Sequence, residues 1–177
     1  MDLSQSRAPW QVASLKRQSE KSLAERLQEL EDRLSIYQLV CGYGYAVDGC
    51  NAEAIGSLYS ENGVYAVGDV GSFEGRDRIA GIADERGHRE RIAAGCGHLS
   101  TLPYVVIDGD RATATCHTMV IMRGKDGFHV DRLSASRLEL SRQPDGQWRI
   151  DHRQNYPLDG GAAGPALLAR LREGPTV

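Results

Sequence analysis

Asp48 and His98 are the side chains whose types, taken together, make a general base. An aspartate that accepts from one ring nitrogen fixes the imidazole tautomer, and it stabilises the imidazolium once the other nitrogen has taken a proton. Such a base removes a proton beside a carbonyl or a leaving group, and enolisation or elimination follows. Tyr43, shortly before Asp48, could donate a hydrogen bond to a developing oxyanion or leaving group. Each also has a plainer reading. Asp48 precedes Gly49 and suits a helix end that bonds Asn51 or the local backbone. His98 suits a hydrogen-bonded, half-buried strand residue, and Tyr37, Tyr43 and Tyr45 suit helix packing.

Further candidates surround these. On the stretch Arg111 to Arg123, alternation places His117 and Met119 on one face with Thr113, Thr115 and Ile121. If that face lines a cavity, His117 touches ligand; otherwise it meets solvent or a neighbouring subunit. Arg132 can hold a carboxylate or oxyanion if it enters a cavity, or pair with Asp131 at the surface. Asn155 and Tyr156 offer polar groups at a pocket rim or a structural role. His88 stands among Glu85, Arg86, Arg89 and Glu90 and reads as a solvated helix face; His129 and His152 read as surface strand residues. Metal-ligand spacing, a phosphate-cradling glycine loop and a nucleophile elbow are all missing, so neither a metal nor a cofactor is expected.

The elements that must position these residues follow from the pattern. The chain has 177 residues, 41% hydrophobic and 25% charged, with net charge −3, the balance of one soluble domain large enough for a core and a pocket. No basic track suggests nucleic acid, and the apolar run Tyr104 to Ile107 is too short for a membrane. The beginning lacks a signal pattern, and Cys41, Cys50, Cys96 and Cys116 are scattered, so a reducing, cytoplasmic setting is expected. Residues 1 to 20 read as a polar arm carrying Trp10, residues 21–158 as the folded domain, and residues 159–177 as a tail whose Pro165 to Arg172 could form a short helix.

Within the domain, Leu23, Leu27, Leu30, Leu34, Tyr37 and Cys41 recur at helical steps, with Glu25, Glu29, Asp32 and Arg33 opposite. That helix should end at Asp48-Gly49, with glycine in the left-handed cap. A short helix capped by Asn51 follows, then a strand at Val64 to Val67, a turn region at Gly68 to Gly75, and a helix from about Arg76 to Ala94. Four strands come next, His98 to Ile107, Arg111 to Arg123, Phe128 to Ser141 and Gln147 to Tyr156. Their short Gly-containing connections make an antiparallel meander. The layout is α+β, with three N-terminal helices covering one face of a strongly bent antiparallel sheet. Phe128, Val130, Leu138, Leu140, Trp148 and Ile150 exceed what one face should bury, so a homo-oligomer, dimer or trimer, is expected through the sheet.

This succession resembles the SnoaL-like branch of the nuclear transport factor 2-like superfamily. The resemblance is carried by Leu30-Glu-Asp-Arg-Leu-Ser-Ile-Tyr-Gln-Leu39, Tyr43-Gly-Tyr-Ala-Val-Asp48, Phe73-Glu-Gly-Arg-Asp-Arg-Ile79, Gly97-His98, Val106 to Ala114 and Asp145-Gly-Gln-Trp-Arg-Ile150. Within that branch the chain is most similar to the cone-shaped dehydratases and eliminases, the scytalone dehydratase, bile-acid 7α-dehydratase and hexachlorocyclohexane dehydrochlorinase group. The resemblance implies a carboxylate at the end of the first long helix beside a histidine on the first meander strand, positions held here by Asp48 and His98, with Tyr43 at a tyrosine used by some of the group. It implies that the bent antiparallel sheet forms a cone-shaped barrel, and it implies a cofactor-independent lyase or isomerase acting on a hydrophobic small molecule. The chain departs from the group at Val120-Ile-Met122, where those dehydratases carry an aspartate or histidine. That departure favours reactions needing less acid assistance, and it leaves room for a catalytically silent binding or assembly module, or a polyketide cyclase.

Overall fold

The computed structural model describes residues 21–69 and 71–175. The expected arm at residues 1 to 20, with Trp10, lies outside them. The chain divides into two units, Met1–Leu34 and Ser35–Val177. The first helix, α1 (Leu23–Asp48), begins in one and ends in the other.

α1 opens on a capping box. The Ser22 amide donates to Glu25 Oε2 at 2.7 Å, and the Glu25 amide donates back to Ser22 Oγ at 3.2 Å, so two otherwise unpaired helix-start donors are satisfied. The chain carries two apolar stripes along this helix, one in each half. Ile36, Leu39, Val40, Tyr43, Ala46 and Val47 are buried in the core of the second unit. The leucine stripe expected to face the core is instead exposed at Leu23, Leu27, Leu30 and Leu34, while Asp32, expected on the polar side, is buried. The helix also ends differently in detail. The Asn51 amide reaches back to the Ala46 carbonyl at 2.9 Å and the Cys50 amide to Val47 at 3.0 Å, a Schellman closure. Its left-handed residue is Cys50, at φ 49°, not Gly49.

In the second unit, α2 (Ala52–Ser57) is capped as expected, Asn51 Oδ1 accepting from the Ala54 amide at 2.9 Å. Strand β1 (Tyr59–Val67) turns into β2 (Gly71–Glu74), so the expected turn region is a hairpin. The single helix expected over Arg76 to Ala94 is broken into α3 (Arg76–Ala80), a 3₁₀ turn (Gly81–Asp84) and α4 (Arg86–Gly95). Gly81 is a weak helix former, and Glu85 at ψ 131° is fully extended, which no continuous helix tolerates.

The meander is β3 (Cys96–Ser100), β4 (Tyr104–Asp108), β5 (Arg111–Gly124), β6 (Gly127–Arg142) and β7 (Trp148–Pro157). The expected strand His98 to Ile107 is two strands, because Pro103 lacks an amide to donate and the Thr101 side chain and amide are spent on the main chain of His117. The hairpin glycines Gly109, Gly127 and Gly146 all take positive φ, at 58°, 119° and 80°. Among the described residues the sheet runs β2-β1-β7-β6-β5-β3, with β4 also on β5. All pairs are antiparallel except β1 with β7, and the sheet is curled and open.

Register decides what the concave face carries. Tyr65, Arg153, Leu138 and Ala114 form one row, Val67, Asn155, Ser136 and Cys116 the next, and His98, Val120 and Arg132 a third. Small side chains in the middle rows leave room over the sheet. The opposite face is closed by α5 (Ala163–Ala169) and the segment after it. There buried Arg137 donates to the carbonyls of Arg170 at 3.1 Å and Glu173 at 2.8 Å, and Thr113 to Glu173 at 3.1 Å. The surplus of apolar strand residues expected to drive assembly through the sheet is smaller than the sequence implies. Leu138, Leu140, Trp148 and Ile150 are buried within the chain, and Phe128 and Val130 remain exposed.

Candidate active site

Asp48 is the last residue of α1, where the helix dipole presents its negative end. An anion there gains only if donors meet it, and β3 supplies them. The His98 amide donates to both carboxylate oxygens, at 2.9 and 3.2 Å, and His98 Nδ1 lies 2.6 Å from Asp48 Oδ1. A carboxylate only accepts, so Nδ1 carries the hydrogen and Nε2 keeps its lone pair. Gly44 allows the approach. A Cβ at this position would sit 2.2 Å from the His98 carbonyl oxygen, so only glycine lets α1 and β3 come this close.

Burial pushes the His98 pKa below the ordinary 6.5, and the bond to Asp48 opposes this only in part. The imidazole is therefore neutral near neutral pH, the state a base requires. Tyr43 is buried, edge-on to Tyr59 and Tyr65 with ring centres 6.5 and 6.0 Å away. Burial first, then the neighbouring tyrosines, hold its hydroxyl well above 10, so it stays a neutral donor.

A cavity of about 530 Å³ opens over this pair, lined by His98, Tyr43, Tyr65, Phe73, His88 and Arg132 among others. A narrower chamber continues beneath it between His98, Val120, Arg153 and Asn155, with Met119 on its wall. A second cavity of about 530 Å³ is lined by Asn155, Tyr156 and Ser134. Arg132 lines all three. It is exposed and stands in the row of His98 across the sheet. Tyr156 belongs to the second cavity and does not line the one over His98. His117 is exposed, pairs with Ala135 on the face away from His98, and lines none of these cavities, so it joins no site.

Two groups enter that the sequence did not single out for chemistry. Arg153 is buried, its guanidinium carbon 4.1 Å from the Tyr43 ring centre and 4.8 Å from that of Tyr65, with Nε donating to Asn155 Oδ1 at 3.3 Å. Asn155 in turn donates to the Tyr65 hydroxyl at 3.1 Å. Among the described residues the structure records no carboxylate paired with Arg153, and its positive charge is met by the tyrosines Tyr43, Tyr59 and Tyr65, the Asn155 amide and the Cys116 thiol. The i, i+2 spacing of Arg153 and Asn155 on a strand was the available signal. His88, expected on a solvated helix face, is half-buried, lines the main cavity, and lies with its ring centre 6.0 Å from that of His98. Its Nε2 is 3.0 Å from the Val47 carbonyl, which only accepts, so that nitrogen is the protonated one. Among the described residues no group of three or more His, Cys, Asp or Glu side chains could hold a metal. Among them, too, no helix is long and apolar enough to cross a membrane.

The model of the SnoaL-like domain matches residues 28–154. The chain belongs to the SnoaL-like family. Members of this family are often enzymes. An NTF2-like protein with a cystatin-like fold from Novosphingobium aromaticivorans is 42% identical, over 82% of this chain and 94% of that one, with TM-score 0.80. A Mycobacterium tuberculosis protein of unknown function is 22% identical over 89% and 97% of the two chains, with TM-score 0.66, and shares the fold. An NTF2-like superfamily protein from Salmonella enterica shares it too, at 15% identity, 77% and 97% coverage and TM-score 0.60. Among curated proteins none matches the chain.

Proposed function

We propose that this SnoaL-like protein is a cofactor-independent lyase or isomerase that abstracts a proton from a hydrophobic small molecule. The observation that carries the reading is the 2.6 Å contact of His98 Nδ1 with Asp48 beside a cavity of about 530 Å³. His98 Nε2 takes a proton from a carbon of the substrate. The bonding electrons move into an adjacent carbonyl, giving an enolate, or expel a leaving group, giving a double bond. Asp48 stabilises the imidazolium that forms, and the proton is returned to another carbon or to the departing group. Tyr43 donates to the developing oxyanion, and the charge of Arg153 behind it favours the same state.

Val120 stands beside His98 where a second acid would serve hydroxide departure. Isomerisation, or loss of a group that leaves as a stable anion, therefore suits this site better than dehydration. The same apolar surround is what a binding module of this fold would have, and one experiment separates the two. Hydrophobic ketones and enones are incubated with the protein in D₂O, and deuterium at the acidic carbon is followed by mass spectrometry. Exchange that falls on the order of 10²–10⁴-fold in His98→Ala supports the base. Equal exchange by His98→Ala refutes it, and ligand binding without exchange assigns the fold to binding.

A further inference from the structure

We infer that the exposed leucine stripe of α1 is a parallel two-stranded contact with a second copy of this chain. The stripe runs Leu23, Leu27, Leu30, Leu34, and these leucines are 78, 54, 59 and 62% exposed. Their steps of four, three and four residues set them at alternating d and a positions of a heptad, the spacing that keeps one seam facing a partner helix. Burial is no reason for this spacing, because the core of the second unit is served by the other stripe, Ile36 to Val47. A run of leucines on a helix face otherwise rich in charge is the pattern of a surface that is covered in the working protein.

The flanking charges select the partner and its direction. On one side of the seam, at the g positions, lie Arg26 and Arg33; on the other, at e, lie Ala24 and Glu31. In a parallel pair of identical helices, g of one faces the following e of its partner, so Arg26 meets Glu31 in both symmetric halves. In an antiparallel pair with the leucines aligned, g faces g and e faces e, which sets Arg26 against Arg33 and leaves Glu31 facing Ala24. Self-complementarity of this kind is what a twofold homodimer needs. The contact is short for an isolated coiled coil, but α1 continues without a break to Asp48. The helix is therefore already formed, and association need not supply its nucleation.

The test is the oligomeric state of the full-length protein. In sedimentation equilibrium at micromolar concentration the wild type should be dimeric, and the Leu27→Glu/Leu30→Glu double variant monomeric with unchanged far-UV circular dichroism. Arg26→Glu and Glu31→Arg should each weaken the dimer about two- to fivefold, and the combined exchange should restore it. Mild oxidation of Leu30→Cys should give covalent dimer well beyond the wild type, because parallel d positions face each other. A monomeric wild type overturns the inference, and would leave residues 1 to 20 as the cover. A dimer that survives the double leucine variant overturns it too and points to the exposed strand residues Phe128 and Val130. A dimer without Leu30→Cys cross-linking or charge-exchange rescue overturns the parallel pairing.

Discussion

Gly42 and Gly44 lie two residues apart on the same helix, and replacing each with alanine should move stability in opposite directions. In a helix, alanine is favoured over glycine by about 0.5–1 kcal/mol, mainly through the unfolded chain. At Gly42 a Cβ meets nothing within 4 Å, so Gly42→Ala should gain most of that. At Gly44 the Cβ would lie 2.2 Å from the His98 carbonyl oxygen and 3.2 Å from its carbonyl carbon. These are backbone atoms that cannot swing aside. Reaching ordinary contact requires α1 and β3 to part by about 1 Å, a strain of about 1–3 kcal/mol. The net loss for Gly44→Ala is then up to about 2 kcal/mol, and the two variants should differ by the strain alone, about 1–3 kcal/mol. Urea unfolding followed by circular dichroism measures both. The same 1 Å stretches the 2.6 Å bond from Asp48 to His98, so proton exchange should fall about 10²-fold in Gly44→Ala and stay unchanged in Gly42→Ala. A Gly44→Ala protein as stable as Gly42→Ala would refute the close approach of helix and strand on which the site depends.

Other consequences are equally open to measurement. Asp48→Asn removes the group that supports the His98 charge, so the already lowered His98 pKa should fall further, read by NMR titration. Because His98 binds its proton less tightly folded than unfolded, its contribution to stability is full above about pH 6.5 and is lost as pH falls below that value; in His98→Gln this part of the acid loss should disappear from urea midpoints taken across the range. Arg137→Met removes the donor that ties the carbonyls of Arg170 and Glu173 to the sheet, and should cost on the order of 2–4 kcal/mol and open the C-terminal segment to limited proteolysis. Tyr43→Phe keeps the buried ring and removes its hydroxyl, so exchange should slow on the order of tenfold with stability nearly unchanged.

Local chemistry made much of the fold legible. Asn51 and the hairpin glycines mark where elements stop, because caps and positive φ demand particular residues. The end of α1 at Asp48 and the strand at His98 followed from the same signals. What periodicity could not supply was the choice between two apolar stripes on one helix, since spacing records a face and not what covers it. Leu23 to Leu34 has the stronger hydrophobicity and remains outside; Ile36 to Val47 includes a tyrosine and an alanine and builds the core. Sheet register was equally hidden. It sends His117 to one face and Arg153 to the other, and a shift by one residue would have exchanged them. His88 was obscured by its charged neighbours, because α4 lays His88 and Arg91 against the cavity while Arg86, Arg89 and Glu90 face water.

Proton abstraction requires a neutral His98 whose Nδ1–H is held by Asp48 and whose Nε2 is open, and this state is visible without a substrate. Long-range ¹H–¹⁵N NMR of histidine-labelled protein near pH 7, with His98 assigned by its loss in His98→Gln, reports both tautomer and charge. A neutral ring protonated at Nδ1, with a pKa below 6.5, is expected. A ring protonated at Nε2, or one still charged at pH 7, would contradict it.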